Sequence, residues 1–489
     1  MLTLPRPRLR HQAPKDLAGR INHHDHVAIF VRTGTNLRTL PHGATIAARL
    51  QARGSRMAAG ETLIIEAPNA RGTTIAVGFV GADTEAFRLH ELARQLTAYK
   101  EPCGAIGLAT AGLAGDHLDQ AIDALLGAAL ARAPLPSFRT GPKRARPPAI
   151  ELFGPPGQTA RTIAAAQGNH LARALTALPG NHLTPPAYRR HIQKLARTEG
   201  WRYRFLDEKK LTALGAGAFL AVTQADKRGA GIVHLRYEPA RSRREARTLA
   251  LVGKGICFDT GGVNVKPARH MYNMHEDMEG SAVALGTLLA LTALKVPFPV
   301  DCYLAIAENA VGPRAYRPND VVRALNGTTI EIVHTDAEGR MVLADTLTLA
   351  SRSRPGLIID YATLTGACVY ALGSRMSGGF SNRASHLPLI LAASTASGER
   401  VWPFPLPEDY EEDLKSDIAD IKQCTLEGEA DHILAGLFLK RFVAHDTPWL
   451  HLDLAAGRHK GGLGLVPTDV SGFGVRFTLS LLLDQGLAW

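Results

Sequence analysis

The sequence predicts an α/β protein: a small N-terminal α/β domain, then a larger C-terminal α/β domain whose mixed sheet is mainly parallel and flanked by helices. Short apolar runs typical of buried strands alternate with stretches of helical periodicity along most of the chain. The length of 489 residues exceeds what one hydrophobic core usually supports. The turn Gly154-Pro-Pro-Gly157 separates the two regions, so we expect domains at 1–154 and 155–489.

The N-terminal region begins with a stretch that does not resemble a folded element. Residues 1–25 carry several Arg and Pro residues without a long apolar run, so we expect a loose tail rather than a secretory signal. His23, His24 and His26 flank Asp25, but without a second cluster at ligand spacing they favour a solvated segment over a metal site. The periodicity that follows predicts strands at 27–32, 62–66, 74–81 and 149–153 and helices at 84–98 and 117–132.

The C-terminal region alternates helices and strands in a way that favours a mainly parallel core. One predicted helix has Thr184 as its N-cap and Pro185 in its first turn. Another is expected to begin near Ala344. Helices are predicted at 163–177, 185–199, 208–214 and 278–294, and strands at 201–205, 232–237, 248–252, 300–307, 329–333, 357–363 and 449–454.

Composition argues for an ordinary globular protein. It is 45% hydrophobic and 21% charged, and no apolar run is long enough to cross a bilayer. Five cysteines are scattered without a C-x-x-C pair, which favours reduced thiols and a cytoplasmic location. The net charge of +11 lies partly in basic segments at 143–146 and 241–244, which lack aromatic residues and therefore favour exposed loops, with nucleic-acid binding an accessory role at most.

Two charged clusters stand out between 251 and 347. The first follows the predicted strand at 248–252 and contains Lys254, Asp259, Lys266 and Asp277. Glycines around Lys254 and Asp259 predict irregular backbone beyond the end of a strand, where ligands collect in open α/β sheets. Asp277 alone would be interpreted as a helix cap.

The second cluster holds Asp336, Glu338 and Arg340, which share one side of an extended segment. A pair of carboxylates without a neighbouring lysine needs cations for compensation. Together with Asp259 and Asp277, these carboxylates are hard oxygen ligands that can hold two divalent ions about 3.5–4 Å apart.

The remaining charged residues take different roles in this interpretation. Lys254 could join as a ligand only as a neutral amine, with a pKa far below about 10.4. Lys266 and Arg340 would stay charged and stabilise developing negative charge.

The motifs around these residues resemble those of the leucine aminopeptidase (cytosol aminopeptidase) family, which are di-metal exopeptidases. The resemblance extends from about residue 166 to the C-terminus. Its most specific segments are Thr335-Asp-Ala-Glu-Gly-Arg340 with Leu343-Ala-Asp345, Val252-Gly-Lys-Gly255 with Phe258-Asp-Thr-Gly-Gly262 and Lys266-Pro267, Ala315-Tyr-Arg-Pro-Asn-Asp-Val321, and Ala362-Thr-Leu-Thr-Gly-Ala367.

The resemblance assigns roles to individual residues. One metal site would consist of Asp259, Asp336 and Glu338; the other would add Lys254 and Asp277 to the bridging Asp259 and Glu338. Lys266 and Arg340 would be the catalytic pair, with bicarbonate on Arg340, near Leu364, as the general base. The pocket for the first side chain, suited to Leu or Met, would be lined by Met274, Thr363, Leu364, Thr365, Gly366 and Ala455.

The resemblance also implies a function and an assembly. We expect a homohexamer that releases N-terminal residues from peptide substrates, with Zn²⁺ and/or Mn²⁺, or else Mg²⁺ or Co²⁺, in each chain. One alternative is a catalytically silent hexamer of the same family that binds DNA or acts as a scaffold. Another is a two-metal phosphoesterase, which Lys254 and the lack of metal-spaced histidines disfavour.

The sequence departs from the family pattern at three places near the expected pocket. His334 stands where Asn is usual, and we expect it to replace an amide hydrogen bond rather than to add a ligand. Glu279 stands where Gly is usual, and residues 425–434 replace a shorter glycine-rich turn. None of these changes removes an expected ligand.

Overall fold

The computed structural model describes residues 8–55, 57–140, 146–155, 157, 159–226, 228–241 and 246–487. Most of the basic segments at 143–146 and 241–244 therefore lies outside the described residues, as do Pro156 in the predicted boundary turn and residues 1–7. Within the described part, no helix is both long and apolar enough to cross a membrane. All five cysteines are buried free thiols.

The strands alternate with helices along the chain. The strands are Leu9–Gln12 (β1), His26–Arg32 (β2), Thr62–Glu66 (β3), Thr74–Val80 (β4), Ala105–Ala111 (β5), Ala149–Phe153 (β6), Arg202–Asp207 (β7), Gly231–Tyr237 (β8), Leu249–Asp259 (β9), Val300–Asn309 (β10), Val321–Arg323 (β11), Thr329–Glu331 (β12), Leu357–Ala362 (β13), Ser377–Ser381 (β14), Val401–Pro403 (β15), Ile421–Lys422 (β16) and Trp449–Asp453 (β17).

The α-helices connect and cover these strands. They are Leu17–Arg20 (α1), Gly43–Ala52 (α2), Ala86–Leu96 (α3), Gly115–Ala131 (α4), Thr159–Thr176 (α5), Pro185–Glu199 (α6), Glu208–Leu214 (α7), Gly217–Val222 (α8), Ala268–Met271 (α9), Glu279–Ala293 (α10), Glu338–Ser351 (α11), Gly366–Leu372 (α12), His386–Ser397 (α13), Asp431–Lys440 (α14) and Val475–Leu483 (α15).

Two large sheets organise the molecule. The first has the order β1-β6-β5-β2-β4-β3 and is parallel except for the β3–β4 pair. The second has the order β15-β14-β17-β13-β9-β10-β8-β7, with a parallel centre formed by β17, β13, β9 and β10. A small sheet of β11, β12 and β16 stands beside it. The predicted α/β class with a mixed C-terminal sheet is confirmed, whereas the division at 154/155 stays a prediction.

The expected loose tail is wrong for the residues that the structure describes. β1 pairs in parallel with β6, with Leu9 opposite Ile150. Leu17 and Ile21 are buried in the core beside the first sheet. These apolar side chains, spaced among basic residues, anchor the segment, and Pro14 is the first residue of a 3-10 helix, Pro14–Asp16, where a missing N–H is tolerated.

The histidines at the end of this segment are also not solvated as a group. His24 is fully buried and its Nε2 lies 3.2 Å from Glu151 Oε2 on β6. His26 is the first residue of β2 and is buried. Burial lowers the pKa of both imidazoles, which therefore act as packed core residues.

Strand β9 extends further than predicted, so that Lys254 and Asp259 belong to the strand and not to the loop after it. The predicted strand ended at Val252, but β9 continues through Gly253 and Gly255 to Asp259. Lys254 therefore lies on regular strand backbone, and Asp259 ends the strand after a shift in its pairing register with β10. A Cβ at Gly253 would lie 2.4 Å from Ser281 Cα, so glycine here lets helix α10 pack directly on the strand.

Helix α10 is buried over nearly its whole length, and it begins two residues after Asp277. A Cβ at Gly280 would lie 2.2 Å from Tyr361 O on β13, so the start of α10 sits against the sheet backbone. Met278, not Asp277, occupies the N-cap position, and Asp277 is therefore not the helix cap.

The second charged cluster also adopts a different local structure from the predicted one. Helix α11 begins at Glu338 rather than near Ala344, and Asp336 lies in the turn before it. Strand β12 ends at Glu331 and belongs to the small sheet. Asp336 and Glu338 come together through a turn into a helix, not through the period of an extended strand.

Candidate active site

Three carboxylates from two elements and a turn meet at the carboxyl end of β9. Asp259 ends β9, Asp336 lies in the turn before α11, and Glu338 opens α11. A ligand oxygen of each lies within 4.8 Å of those of the other two. Among the residues that the structure describes, no other group of three or more His, Cys, Asp or Glu meets this criterion. The spacing is what a divalent metal requires from oxygen ligands.

Lys254 extends this group toward Asp277. Its Nζ donates to Asp277 Oδ1 at 2.8 Å and to the carbonyl of Thr363 at 2.9 Å, and it lies 3.0 Å from Glu338 Oε1. Burial lowers the pKa of Lys254, but the carboxylates of Asp277, Glu338 and Asp259 outweigh burial and leave it raised. Without a metal, the ammonium therefore compensates the carboxylates.

Lys266 lies on the other side of the carboxylates. Its Nζ is 2.9 Å from Asp259 Oδ2 and 2.6 Å from Asp336 Oδ1. Burial lowers the pKa of Lys266, but the neighbouring carboxylates raise it above its usual value. The loop that carries Lys266 reverses at Gly261 and Gly262, where φ is +86° and +65°.

Thr335 joins the two charged clusters. Its Oγ1 donates to Gly261 O at 2.6 Å and accepts from Asn264 N at 3.0 Å. A Cβ at Gly262 would lie 2.8 Å from Thr335 Oγ1, so the loop after β9 packs closely against the turn before α11. This contact sets the distance between Lys266 and Asp336.

The carboxylates of the site carry more negative charge than its lysines balance. This excess bears on whether the site fits metal ions. Burial raises the pKa of Asp336 to about 7 and that of Asp277 well above its usual value. Glu338 is likewise raised by burial and by Asp259. Asp277 Oδ2 is buried without a hydrogen-bond partner among the described residues. Uncompensated buried carboxylates with a spare oxygen suit divalent cations.

Asn309 is a site residue that was not predicted from the sequence. Its Nδ2 donates to Asp259 Oδ1 at 2.9 Å and to Thr335 O at 3.0 Å. Tyr316 OH also donates to Thr335 O, at 2.8 Å. The pairing of β9 with β10, which places Asn309 opposite Asp259, could not be read from spacing alone.

Arg340 does not face the carboxylate group. It is 2% exposed; its Nη2 donates to Asp431 Oδ1 at 2.7 Å and its Nη1 to Gln423 O at 3.0 Å. Its Nε is buried without a partner among the described residues. Burial lowers the pKa of Arg340, and Asp431 more than offsets this. Asp431 and Gln423 were missed as partners, although Asp431 lies in the segment 425–434 that departs from the family pattern.

The residues expected to bind substrate lie along the chain after β13 and around the start of α10. Thr363 Oγ1 donates to Asp277 Oδ1 at 2.7 Å, and Thr365 Oγ1 donates to Asp453 Oδ2 at 2.6 Å. The backbone N of Leu364 donates to Asp453 Oδ1 at 3.1 Å. Asp453, the last residue of β17, was not expected to position this segment.

The other three expected pocket residues are placed by neighbouring elements. Met274 begins a 3-10 helix, Met274–Glu276, that ends just before Asp277. Gly366 begins α12, and the N of Ala455 donates to Asp453 O at 2.9 Å. A role of these residues in substrate binding stays a prediction.

The two single-residue departures take up different environments. His334 Nδ1 accepts from Asp336 N at 3.2 Å, as an amide oxygen would. Burial and Lys266 lower the pKa of His334, and Asp431 opposes them. Glu279 is buried, and its carboxylate packs against Gly457, where a Cβ would lie 2.2 Å from Oε2. Burial together with Glu276 raises the pKa of Glu279 to about 8.

The fold and the carboxylate–lysine site define a metal-dependent hydrolase. The model of the cytosol aminopeptidase family, catalytic domain, matches residues 170–479. The chain belongs to this family and is a leucyl aminopeptidase-like metalloexopeptidase.

Individual relatives agree with this assignment. A "Probable cytosol aminopeptidase" of Syntrophotalea carbinolica is 36% identical over 446 residues, covering 87% of this chain and 89% of the relative. One from a Synechococcus strain is 40% identical over 357 residues, covering 71% and 72%.

Solved structures give the same fold. The bottromycin maturation enzyme BotP in complex with Mn has a TM-score of 0.83 at 33% identity, covering 94% of this chain and 98% of its own. A mutant of tomato leucine aminopeptidase has a TM-score of 0.86 at 27% identity, covering 99% and 97%.

Proposed function

We propose that this chain releases N-terminal residues from peptides with two divalent ions. One ion would be held by Asp259, Asp336 and Glu338, and the second by Lys254, Asp277 and the same Asp259 and Glu338. The observation that carries this proposal is the excess of buried carboxylate around Lys254 and Lys266. When bound, such ions supply Lewis acidity and lower the pKa of water to about 7.

Lys266 and Asp277 are the groups of this chain that would act on the substrate. The Lys266 ammonium would stabilise negative charge on the substrate carbonyl oxygen as water adds to it. Asp277, fixed by Lys254 and Thr363, would lie at the end of the site that receives the free N-terminal amine. A free amine at a fixed place beside the scissile carbonyl explains exopeptidase action.

The pocket for the first side chain would be mainly apolar. Met274 and Ala455 contribute apolar groups. The hydroxyls of Thr363 and Thr365 are already bound by carboxylates, so these residues would present their methyl groups. Together with Leu364 and Gly366, this lining favours Leu or Met as the released residue.

The choice of metal follows from ligand chemistry. Oxygen ligands with one amine accept Zn²⁺, Mn²⁺, Mg²⁺ or Co²⁺, and availability selects among them. The Mn complex of BotP supports trying Mn²⁺ first. The expected bicarbonate fits this site poorly, because the carboxylate of Asp431 already neutralises the guanidinium of Arg340 and accepts from its Nη2.

Assembly and location belong to the same proposal. The family resemblance supports a homohexamer. The names of the relatives support a cytoplasmic location.

The test is hydrolysis of leucine anilide by metal-stripped protein with Zn²⁺, Mn²⁺ or Mg²⁺ added back. We expect metal to restore activity, Lys266→Ala to recover only a small fraction of it, and acetylation of the substrate amine to abolish hydrolysis. Activity on the acetylated substrate would contradict the exopeptidase assignment. No activity with any metal, on leucine anilide or on dipeptides, would overturn the proposed function.

A further inference from the structure

We propose that the carboxylate of Asp431, bound to Arg340, is the general base of this enzyme and replaces a bicarbonate ion. This inference rests on the proposed function. It starts from residues 425–434, which replace a shorter glycine-rich turn of the family pattern and contain the partner of Arg340.

The geometry ties Asp431 to the site through one side chain. Arg340 lies in the first turn of α11, two residues after Glu338, and is almost completely buried. Its Nη2 donates to Asp431 Oδ1 at 2.7 Å. The Asp431 side chain remains 23% exposed, so the carboxylate borders open space while its guanidinium partner does not.

Gln423, two residues before this segment, holds the turn that carries Asp336. Gln423 Oε1 accepts from the backbone N of Val333 and of His334, each at 3.2 Å, and Gln423 Nε2 donates to Ala337 O at 2.9 Å. Gln423 O accepts from Arg340. Arg340, the ion-pair partner of Asp431, is therefore linked through Gln423 to the turn that carries Asp336.

The position of Asp431 in its helix and its ion pair both suit a carboxylate side chain here. Asp431 is the first residue of the ten-residue helix α14, where a negative charge is favourable. The buried guanidinium of Arg340 is its ion-pair partner. A bicarbonate ion on the same guanidinium would face the carboxylate of Asp431 as a like charge.

The step balances without another reagent. Asp431 takes one proton from water as the water oxygen forms a bond to the substrate carbonyl carbon. The carbonyl π electron pair moves to oxygen, where Lys266 stabilises it. The protonated Asp431 then returns the proton to the leaving nitrogen as the C–N bond breaks, which regenerates the carboxylate and releases an amino acid and the shortened peptide.

The test compares Asp431→Ala with wild type in CO₂-free buffer and in the same buffer with bicarbonate. We expect wild-type kcat to be the same in both. Asp431→Ala should lose roughly 10²-fold or more in CO₂-free buffer, the scale of a lost general base, and regain part of it with bicarbonate. Asp431→Asn, which fills the space with a neutral group, should lose as much and not be rescued.

A second readout does not depend on activity. Metal-free, substrate-free Asp431→Ala should broaden the ¹³C NMR signal of labelled bicarbonate, and wild type should not. Glu429→Ala, an exposed carboxylate in the same segment, is the matched control and should behave as wild type. If Asp431→Ala fails to fold, Asp431→Gly opens the same space.

The outcomes separate the two proposals. Wild-type activity that requires bicarbonate, or Asp431→Asn with wild-type kcat in CO₂-free buffer, would overturn the role of Asp431 alone. An Asp431→Ala variant that loses activity without bicarbonate rescue or binding would also overturn it. Wild type inactive with every metal would overturn the aminopeptidase proposal and this one with it.

Discussion

The two halves of the site share the first turn of α11 but balance their charges differently. On the Glu338 side, four carboxylates meet two lysines, which leaves an excess of negative charge. These groups are Asp259, Asp277, Asp336, Glu338, Lys254 and Lys266. On the Arg340 side, one guanidinium meets one carboxylate, Asp431.

The difference predicts what each half recruits. Buried excess negative charge is costly unless cations enter, so the Glu338 side should bind metal ions. The Arg340 side is already paired, so a further anion gains little there. Glu338 therefore lies where cations are required, whereas Arg340, two positions further along α11, lies where the charges already balance. Variants that alter either charge balance test this contrast.

Glu338→Gln should have the largest effect. The amide keeps the size of the side chain but removes the charge that Lys254 contacts and that both proposed ions share. We expect metal content to fall and leucine anilide hydrolysis to drop by more than the roughly 10³-fold that losing one electrostatic group costs. Elemental analysis and initial rates measure this. Glu429→Gln, on an exposed side chain, is the control, and retained metal with retained activity would contradict the shared-ligand role.

Lys266→Ala should come next, because it removes a cation without removing a metal ligand. We expect kcat to fall roughly 10²–10³-fold with KM little changed and metal content intact. In the metal-free protein the same change leaves Asp259 and Asp336 without their partner, so its melting temperature should fall. Lys415→Ala, which removes a surface ion pair, should change neither kcat nor the melting temperature. A loss of metal from Lys266→Ala would place this lysine among the ligands instead.

Asn309→Ala tests the orientation of a ligand rather than the ligand itself. Its amide holds Asp259 Oδ1 at 2.9 Å. Partners that orient metal ligands typically contribute 10–100-fold in affinity, so we expect metal dissociation constants to rise by roughly that factor. Competition with a chelator measures this. Unchanged metal affinity would mean that Asn309 only links Asp259 to Thr335.

The sequence was sufficient to predict the α/β class and the order of most elements, because buried strands and helices differ in apolar period. It placed Lys254 and Asp259 in one segment but ended the strand too early. The reason is that glycines such as Gly253 and Gly255 usually mark a turn, whereas here Gly253 admits the backbone of α10 and Gly255 admits the side chain of Ser281 on that helix. A close approach between two elements leaves the same residue pattern as a turn.

The partner of Arg340 could not be predicted for a different reason. Asp431 lies 91 positions from Arg340, and nothing in local spacing joins them. Asn309 and Asp453 were missed in the same way, because pairing across a sheet sets their contacts. The prediction of a loose tail at residues 1–25 was wrong for another reason. The apolar residues in this segment, Leu9, Leu17 and Ile21, are too few and too scattered to show the period of a strand or a helix.

The pH dependence of stability should differ between metal-free and metal-loaded protein. In the metal-free fold, burial raises the pKa of Asp336 to about 7 and that of Glu279 to about 8. Between their unfolded values and these values, the folded state holds more protons than the unfolded state. Stability should therefore fall as pH rises from about 7 to about 8, by roughly 1 kcal/mol after solvent screening of Asp336. Below about pH 6.5, buried histidines such as His90, whose pKa is lowered to about 3, act in the opposite direction. Urea unfolding at several pH values measures this, and metal should flatten the Asp336 part because it replaces the proton. Stability that rises across this window would contradict the assignment.

His334→Asn should have the smallest effect, because it alters the contact between the two halves without changing either charge balance. In the wild type, the backbone N–H of Asp336 donates to His334 Nδ1 at 3.2 Å. The Asn side chain still offers an oxygen that accepts this hydrogen bond. Neither Lys266 nor Asp431 loses its own ion pair. We expect kcat within about 2-fold of wild type, equivalent to roughly 0.5 kcal/mol, and unchanged metal content. A larger loss that follows the metal supplied would mean that the imidazole acts on the metal side. A loss that bicarbonate reverses would instead mean that it positions Asp431, and the two halves would then be coupled through His334.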